Sequence, residues 1–296
     1  MAVPTGAVAG VLSSLAGIGG GLVIIPCLKA FTTMSQHSIN GTALLAGTMS
    51  CAAGAGSYIL QGTAIVPVAA LLVTFSVMTT RLGSNFAHSL PSHILSRVMG
   101  VFVMGMAPVV VWCGGKKQAA STAVGAGDEP ENQPAAQPVP SSPLLGPLPA
   151  GTPELLRSTP GIAEAWAAAH IIVPIGLVTG FASGAFGIGG GVVMTAALGT
   201  ACGMTQHEAV ATSLCAIVPT GLAGTYHNMA RGAVDVRAAV AIGLASMVAT
   251  TATASLVTAS IPDQELRYVL ATVMVASGAD MIRSSFVKQA LTRLPK

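Results

Sequence analysis

The chain has 296 residues, of which 52% are hydrophobic and only 8% are charged, and its formal net charge is +3. A soluble domain carries about 25% charged residues, so this composition cannot cover a surface that faces water. No block of basic residues that could follow a phosphate backbone is present, which excludes nucleic acid as a partner. We therefore predict an all-α, polytopic membrane protein.

The apolar runs predict eight membrane-spanning helices. A span needs about 20 apolar residues. In chain order the predicted spans are 3–30, 41–60, 63–80 and 94–113 in the first half, then 171–200, 209–230, 236–260 and 265–284 in the second. The predicted domains are a first transmembrane repeat (1–113), a linker (114–165) and a second transmembrane repeat (166–296). The linker is rich in Pro, Ala and Ser without apolar periodicity, so we expect it to be disordered.

The two halves repeat each other. A shift of 170 positions aligns residues 6–70 with 176–240 without a gap, and about a third of the paired residues are identical. The identical residues include the whole cluster "GIGGG", at Gly17–Gly21 and again at Gly187–Gly191. Apolar composition alone would give far fewer identities, which indicates an internal duplication.

Each glycine cluster is expected to break its helix, because a helical glycine costs about 1 kcal/mol relative to alanine. In lipid such a break survives only where protein or a water-filled cavity satisfies the backbone. Transporters use the ends of broken helices to bind anions near the midplane. We expect one shared site for a small anion, formed by Gly17, Gly19, Gly20, Gly21, Gly187, Gly189, Gly190 and Gly191. Close helix packing through small residues is the alternative.

Polar side chains near the clusters are further candidates. Thr42, Thr212 and Ser213 place hydroxyls early in the next helix of each half, where they either donate to an anion or bond their own helix. His37 and His207 occupy equivalent positions in "MSQH" and "MTQH". Because histidine changes charge near physiological pH, they are candidates for proton coupling, and helix capping at the interface is the alternative.

Positive charges predict the orientation. If all eight segments cross, Lys and Arg are concentrated on the side that holds both termini, the linker and the loop around Arg231, which favours cytoplasmic termini. If the glycine segments instead fold back halfway, each half crosses three times and the repeats are inverted. Arg231 itself either draws anions into a vestibule or serves only as a topology charge.

Two longer stretches of the sequence resemble a known protein family. "GVLSSLAGIGGGLVIIPCL" and "GLVTGFASGAFGIGGGVVM", followed by "MSQH" and "MTQHEAVATSL", resemble the sulfite exporter TauE/SafE family of membrane permeases. The resemblance covers nearly everything except the linker and implies export of sulfite, a sulfonate or a related sulfur-containing anion. The "TSL" signature is intact only in the second half, where it begins at Thr212, so that half is expected to make the dominant contacts.

Other function classes stay open. A non-transporting membrane scaffold and a passive anion channel would both use the glycines for packing. An enzyme is not expected, because the chain holds no HExxH, no GxSxG and no paired intramembrane carboxylates, and its cysteines match no metal spacing. We expect no cofactor and no metal. The expected partners are a small anion and the lipid bilayer of a cell or organelle, and the sequence also allows a homo-oligomer.

Overall fold

The computed structural model describes residues 2–16, 19–32, 34–124, 169–202, 204–256, 268, 271–272 and 274–283, and this part of the chain is helical without strands. The helices, in chain order, are α1 (Ala2–Ala16), α2 (Gly21–Phe31), α3 (Gln36–Leu60), α4 (Val66–Ser89), α5 (Ser92–Val124), α6 (Ala169–Phe186), α7 (Gly191–Ala201), α8 (Gln206–Met229), α9 (Val236–Leu256) and α10 (274–283). The fold is therefore all-α, as predicted.

Five of the described helices, α3, α4, α6, α8 and α9, are long and apolar enough to cross a membrane. The predicted spans 3–30 and 171–200 are not continuous, because each is divided at its glycine cluster into two helices. The helix α5 continues to Val124, past the predicted start of the linker at 114. The rest of the predicted linker and parts of the last two predicted spans lie outside the described residues.

The helix boundaries recur with the same shift of 170 positions. The second, third and fourth helices of the two halves begin at Gly21 and Gly191, at Gln36 and Gln206, and at Val66 and Val236. Their packing is reciprocal, since α1 lies along α9 while α6 lies along α4, and α3 and α8 pack against each other. The fourth helix of each half therefore packs on the first helix of the other half.

The two central helices run in opposite directions. The Thr42 hydroxyl, near the start of α3, accepts a hydrogen bond of 3.0 Å from the backbone N–H of Asp235, which follows α8. The Thr212 hydroxyl, near the start of α8, accepts one of 3.2 Å from the N–H of Ile65, which follows α3. The halves are thus inverted relative to each other. We call the end where α8 finishes the Arg231 end and the end where α3 finishes the Gln61 end.

The glycine-bearing segments fold back. The start of α1 packs beside the start of α9, where a Cβ at Gly6 would lie 2.5 Å from the Ile242 carbonyl oxygen. The end of α2 returns to the same Arg231 end, where Lys29 donates to the Met281 carbonyl at 3.4 Å. Likewise the start of α6 and the end of α7, at Ile172 and Leu198, both pack at the Gln61 end. Each pair is a hairpin rather than a span.

This folding back corresponds to the second of the two topologies that the sequence left open, in which the repeats are inverted. The first residue of α6 lies at the Gln61 end, opposite to the start of α1. Six of the Lys and Arg residues in the described part of the chain lie at the Arg231 end, namely Lys29, Arg81, Arg97, Arg231, Arg237 and Arg283, whereas Lys116 and Lys117 lie in the last turns of α5, toward the opposite end. The distribution of positive charge still favours a cytoplasmic location for that end.

Glycines outside the two clusters provide close helix packing. On α6, a Cβ at Gly180 would overlap the Ser76 carbonyl oxygen of α4, and one at Gly184 would overlap that of Thr80. On α1, the Ser246 hydroxyl of α9 donates to the Gly6 carbonyl at 2.9 Å. Small residues let helix backbones approach in this way. Close helix packing through small residues is therefore a feature of the fold outside the "GIGGG" clusters as well.

Candidate functional site

Both helix breaks use backbone conformations that favour glycine. Gly20 caps α2 with φ +70°, and Gly190 caps α7 with φ +73°. Gly19, Gly187 and Gly189 also have positive φ values of 79°, 71° and 83°. Residues with a Cβ rarely adopt these angles, which explains why the clusters contain glycine. The predicted site residue Gly17 lies outside the described residues.

The two breaks touch each other. A Cβ at Gly21 would lie 3.0 Å from the Gly187 carbonyl oxygen and 3.0 Å from the Ile188 Cα. A Cβ at Gly19 would lie 3.6 Å from the Ile188 carbonyl oxygen. The predicted residues Gly19, Gly21 and Gly187 are therefore brought together between the inverted halves.

The two breaks line one narrow crevice. Its lining residues are Gly19, Ala43, Leu44, Gly47, Thr48, Gly187, Ile188, Gly189 and Ile217. None of these carries a charge, and the crevice is too narrow for a water-sized sphere. Any ligand that binds here requires the two breaks to move apart.

Backbone donors are concentrated beside this crevice. The helices α2 and α7 begin at Gly21 and Gly191. The first N–H groups of a helix have no acceptor within the helix, and the helix dipole adds about half a positive charge at that end. The breaks thus offer neutral donors with a positive electrostatic potential.

The three predicted hydroxyls have partners elsewhere. Thr42 and Thr212 accept the cross-half hydrogen bonds from Asp235 and Ile65 described above. Ser213 donates to the Val210 carbonyl of its own helix at 2.9 Å. None of the three is a lining residue of the crevice. The contacts of Thr42 and Thr212 connect the two halves, whereas that of Ser213 stays within its own helix.

The two predicted histidines lie at opposite ends of the bundle. His37, at the Arg231 end, stacks on His88 of α4 with ring centroids 5.0 Å apart and an interplanar angle of 24°. The Nδ1 atom of His37 is buried without a hydrogen-bond partner. His207 lies at the Gln61 end, in the first turn of α8, which Thr205 and Glu208 cap reciprocally. The structure does not bring His37 and His207 together.

Arg231 ties the end of α8 to the end of α4. Its Nη1 donates to the Ser84 carbonyl at 3.1 Å, to the Ser84 hydroxyl at 3.1 Å and to His88 Nδ1 at 3.0 Å. Its Nη2 donates to Asn85 Oδ1. The side chain is exposed. Arg231 therefore closes the surface between two helices that come from different halves.

Two kinds of polar residue near the breaks are not among the predicted site residues. Asn40 is 5% exposed; its Oδ1 accepts from Gln36 Nε2 at 2.9 Å, and its Nδ2 has no partner. Its backbone packs against Gly187. Ser13 and Ser183 are fully buried with unpartnered hydroxyls. The signal for Ser13 and Ser183 is their identity across the duplication, one turn before each cluster, whereas Asn40 has no such signal because Val210 occupies its equivalent position.

These features define an integral, multi-pass membrane protein with two inverted hairpins that meet between its central helices, an arrangement suited to transport. A family model described as sulfite exporter TauE/SafE matches residues 2–281. The chain belongs to the sulfite exporter TauE/SafE family, which confirms the resemblance seen in its motifs. It is a permease of that family. No curated protein and no solved structure matches the chain at a significant level.

Proposed function

We propose that the protein exports a small sulfur-containing anion, sulfite or an organosulfonate, through a site between its two glycine breaks. Family membership supports the class of cargo. The observation that carries the location is the contact of Gly21 with Gly187, which places the N-terminal ends of two short helices beside one crevice. Two breaks that were far apart, or continuous helices, would give no such site.

Binding at this site depends on backbone amides rather than on a fixed cation. Hydrogen bonds from N–H groups to an anion are stronger than neutral ones, and glycine allows close approach. A buried arginine or lysine would hold the anion more tightly and oppose its release. A lining without charged side chains therefore suits a carrier, which must release its cargo.

The packing suggests which parts move. Because α9 lies on α1 and α3, and α4 lies on α6 and α8, each rigid unit combines helices of both sequence halves. One unit contains α1, α2, α3 and α9, and the other contains α6, α7, α8 and α4. We propose alternating access in which these units rock about the α3–α8 contact and separate the breaks. The sequence halves themselves are not the moving bodies.

The decisive experiment measures sulfite and organosulfonate efflux from proteoliposomes. We expect wild-type efflux and its loss in Gly190→Leu, because Gly190 has positive φ and a Cβ there would lie 2.6 Å from the Thr179 carbonyl oxygen. Gly199→Leu is the matched control, since Gly199 lies on the same helix with open space around it. A monodisperse elution profile shows that each variant is folded.

The other function classes predict different results. A scaffold gives no wild-type flux and tolerates Gly190→Leu. A passive channel gives flux that an ion gradient never concentrates above equilibrium. Unchanged efflux in Gly190→Leu would overturn the proposed site.

A further inference from the structure

One interhelical contact, which we call the tie, occurs twice in this fold, once with a charged donor and once with a neutral donor. Arg231 and Gln61 are equivalent under the shift of 170, and each follows the end of a central helix. Arg231 Nη1 donates to the Ser84 carbonyl at 3.1 Å, while Gln61 Nε2 donates to the Ala254 carbonyl at 3.4 Å. Ser84 and Ala254 are themselves equivalent. The two ends of the protein are thus closed by the same contact, charged at one end and neutral at the other.

The charged tie uses only neutral acceptors. Arg231 contacts the carbonyl and hydroxyl of Ser84, the amide oxygen of Asn85 and the imidazole of His88. Within the described part of the chain no carboxylate pairs with it. The bonds that Arg231 now makes are charge-assisted only through the guanidinium, whereas an oxyanion adds the opposite charge and accepts two parallel bonds from the same side chain. An oxyanion that reaches this exposed side chain therefore competes with the neutral acceptors that it now holds.

His88 can accommodate such an exchange. Its Nδ1 lies 3.0 Å from Arg231 Nη1 and 2.9 Å from the Ser84 carbonyl oxygen. Because arginine only donates, the contact with Arg231 requires Nδ1 to be without a proton. When Arg231 leaves, the neutral ring can carry its proton on Nδ1 and donate to Ser84. The Ser84 carbonyl then keeps a hydrogen-bond donor, and the charge of His88 does not change.

Further polar groups lie between the Arg231 contacts and the glycine breaks. The Ser84 hydroxyl also donates to Asn228 Oδ1 at 3.2 Å, and His37 stacks on His88. Beyond them lies Asn40, with its free Nδ2 and its backbone against Gly187. At the Gln61 end the positions equivalent to Ser84, Asn228 and Asn40 are Ala254, Tyr58 and Val210. The Arg231 end therefore carries a series of hydrogen-bonding side chains between the surface and the breaks, and the Gln61 end does not repeat it.

We propose that Arg231 is a latch operated by a small oxyanion. Without the anion, Arg231 ties α8 to α4 and closes the Arg231 end. An oxyanion with two oxygens available for the guanidinium replaces the neutral acceptors and frees the last turns of α4, from Ser84 onward. The approach to Gly187 then opens while the rest of α4 stays packed on α6 and α8. This inference rests on the proposed function, since the recruiting anion is the cargo. The Gln61 tie lacks charge, so it does not respond to anions.

The test measures hydrogen–deuterium exchange of the backbone amides 85–90, at the end of α4, in the full protein in lipid nanodiscs. Methanesulfonate is the probe and sodium chloride at equal ionic strength is the reference. We expect methanesulfonate to speed wild-type exchange several-fold. Arg231→Ala, which removes the donor altogether, should exchange rapidly in both salts, and Arg237→Ala, which removes a second exposed arginine at the same end, should behave as wild type.

A gain of function completes the test. Gln61→Arg should make the amides 251–256, around Ala254, exchange more slowly in chloride and respond to methanesulfonate. Wild-type exchange that is indifferent to methanesulfonate would overturn the latch, as would slow exchange in Arg231→Ala. Because exchange does not depend on flux, this failure is distinguishable from the absence of wild-type efflux, which would instead overturn the proposed function.

Discussion

Gly47 lies directly against the carbonyl oxygen of Gly19, so that a Cβ at Gly47 would overlap that oxygen. This contact seats the first break on the middle of α3. We expect Gly47→Ala to push the break away from α3, lower the unfolding temperature and reduce efflux. Thermal unfolding in detergent and flux in proteoliposomes measure the two effects.

The same helix offers a control. Nothing lies within 4 Å of a Cβ at Gly56. We expect Gly56→Ala to leave efflux unchanged and to stabilise the protein by up to about 1 kcal/mol through helix propensity. Equal behaviour of the two variants would show that the contact between Gly47 and Gly19 does not position the break.

Thr42 and Thr212 provide a second prediction, because the sequence suggested cargo binding while the structure shows cross-half hydrogen bonds. Thr42→Val and Thr212→Val each leave a backbone N–H without its acceptor, at a cost of about 1–3 kcal/mol. We expect lower stability with an unchanged KM for the anion. Thr→Ser variants keep the hydroxyl and should retain stability. A higher KM at unchanged stability would instead favour cargo binding.

The breaks themselves were predictable, because four glycines within five residues disfavour a helix whatever surrounds them. The folding back was not. It depends on which helices pair, and the pairing of Gly6 with Ser246 joins residues 240 positions apart. Local apolar patterns carry no information on such a contact. The number of crossings, and with it the side of the linker, therefore followed only from the structure.

The residues of the candidate site also fall into two groups, those that the sequence identified and those that it did not. Gly187 and Gly190 were identified because the duplication repeats them together with their whole cluster. Ser84 and His88 occur once, on α4, and reach Arg231 only because α4 packs on α8 of the other half. No local motif marks a residue whose role depends on a distant helix.

His37 and His207 give a third prediction. If they couple proton movement to export, an imposed pH gradient drives anion movement in wild-type vesicles. His37 stacks on His88 and has a buried Nδ1 without a partner, whereas His207 lies in a capped helix turn. We expect His37→Gln to abolish the response to the gradient, and His207→Gln to reduce it less. A full response in His37→Gln would exclude His37 as the coupling residue.

The hairpins yield a fourth prediction, on topology. The start of α6 lies at the Gln61 end, whereas the start of α1 and the end of α10 lie at the Arg231 end, where Ser96 donates to Met281 at 3.2 Å. The linker before α6 and the segment after α10 should therefore be on opposite sides of the membrane. A site-specific protease sequence inserted between residues 140 and 141 is compared with one added after residue 296. In sealed inside-out vesicles we expect cleavage after residue 296 alone, because the positive charges place the Arg231 end in the cytoplasm. Cleavage at both sites would mean that the glycine segments cross completely, and cleavage at the linker site alone would reverse the orientation.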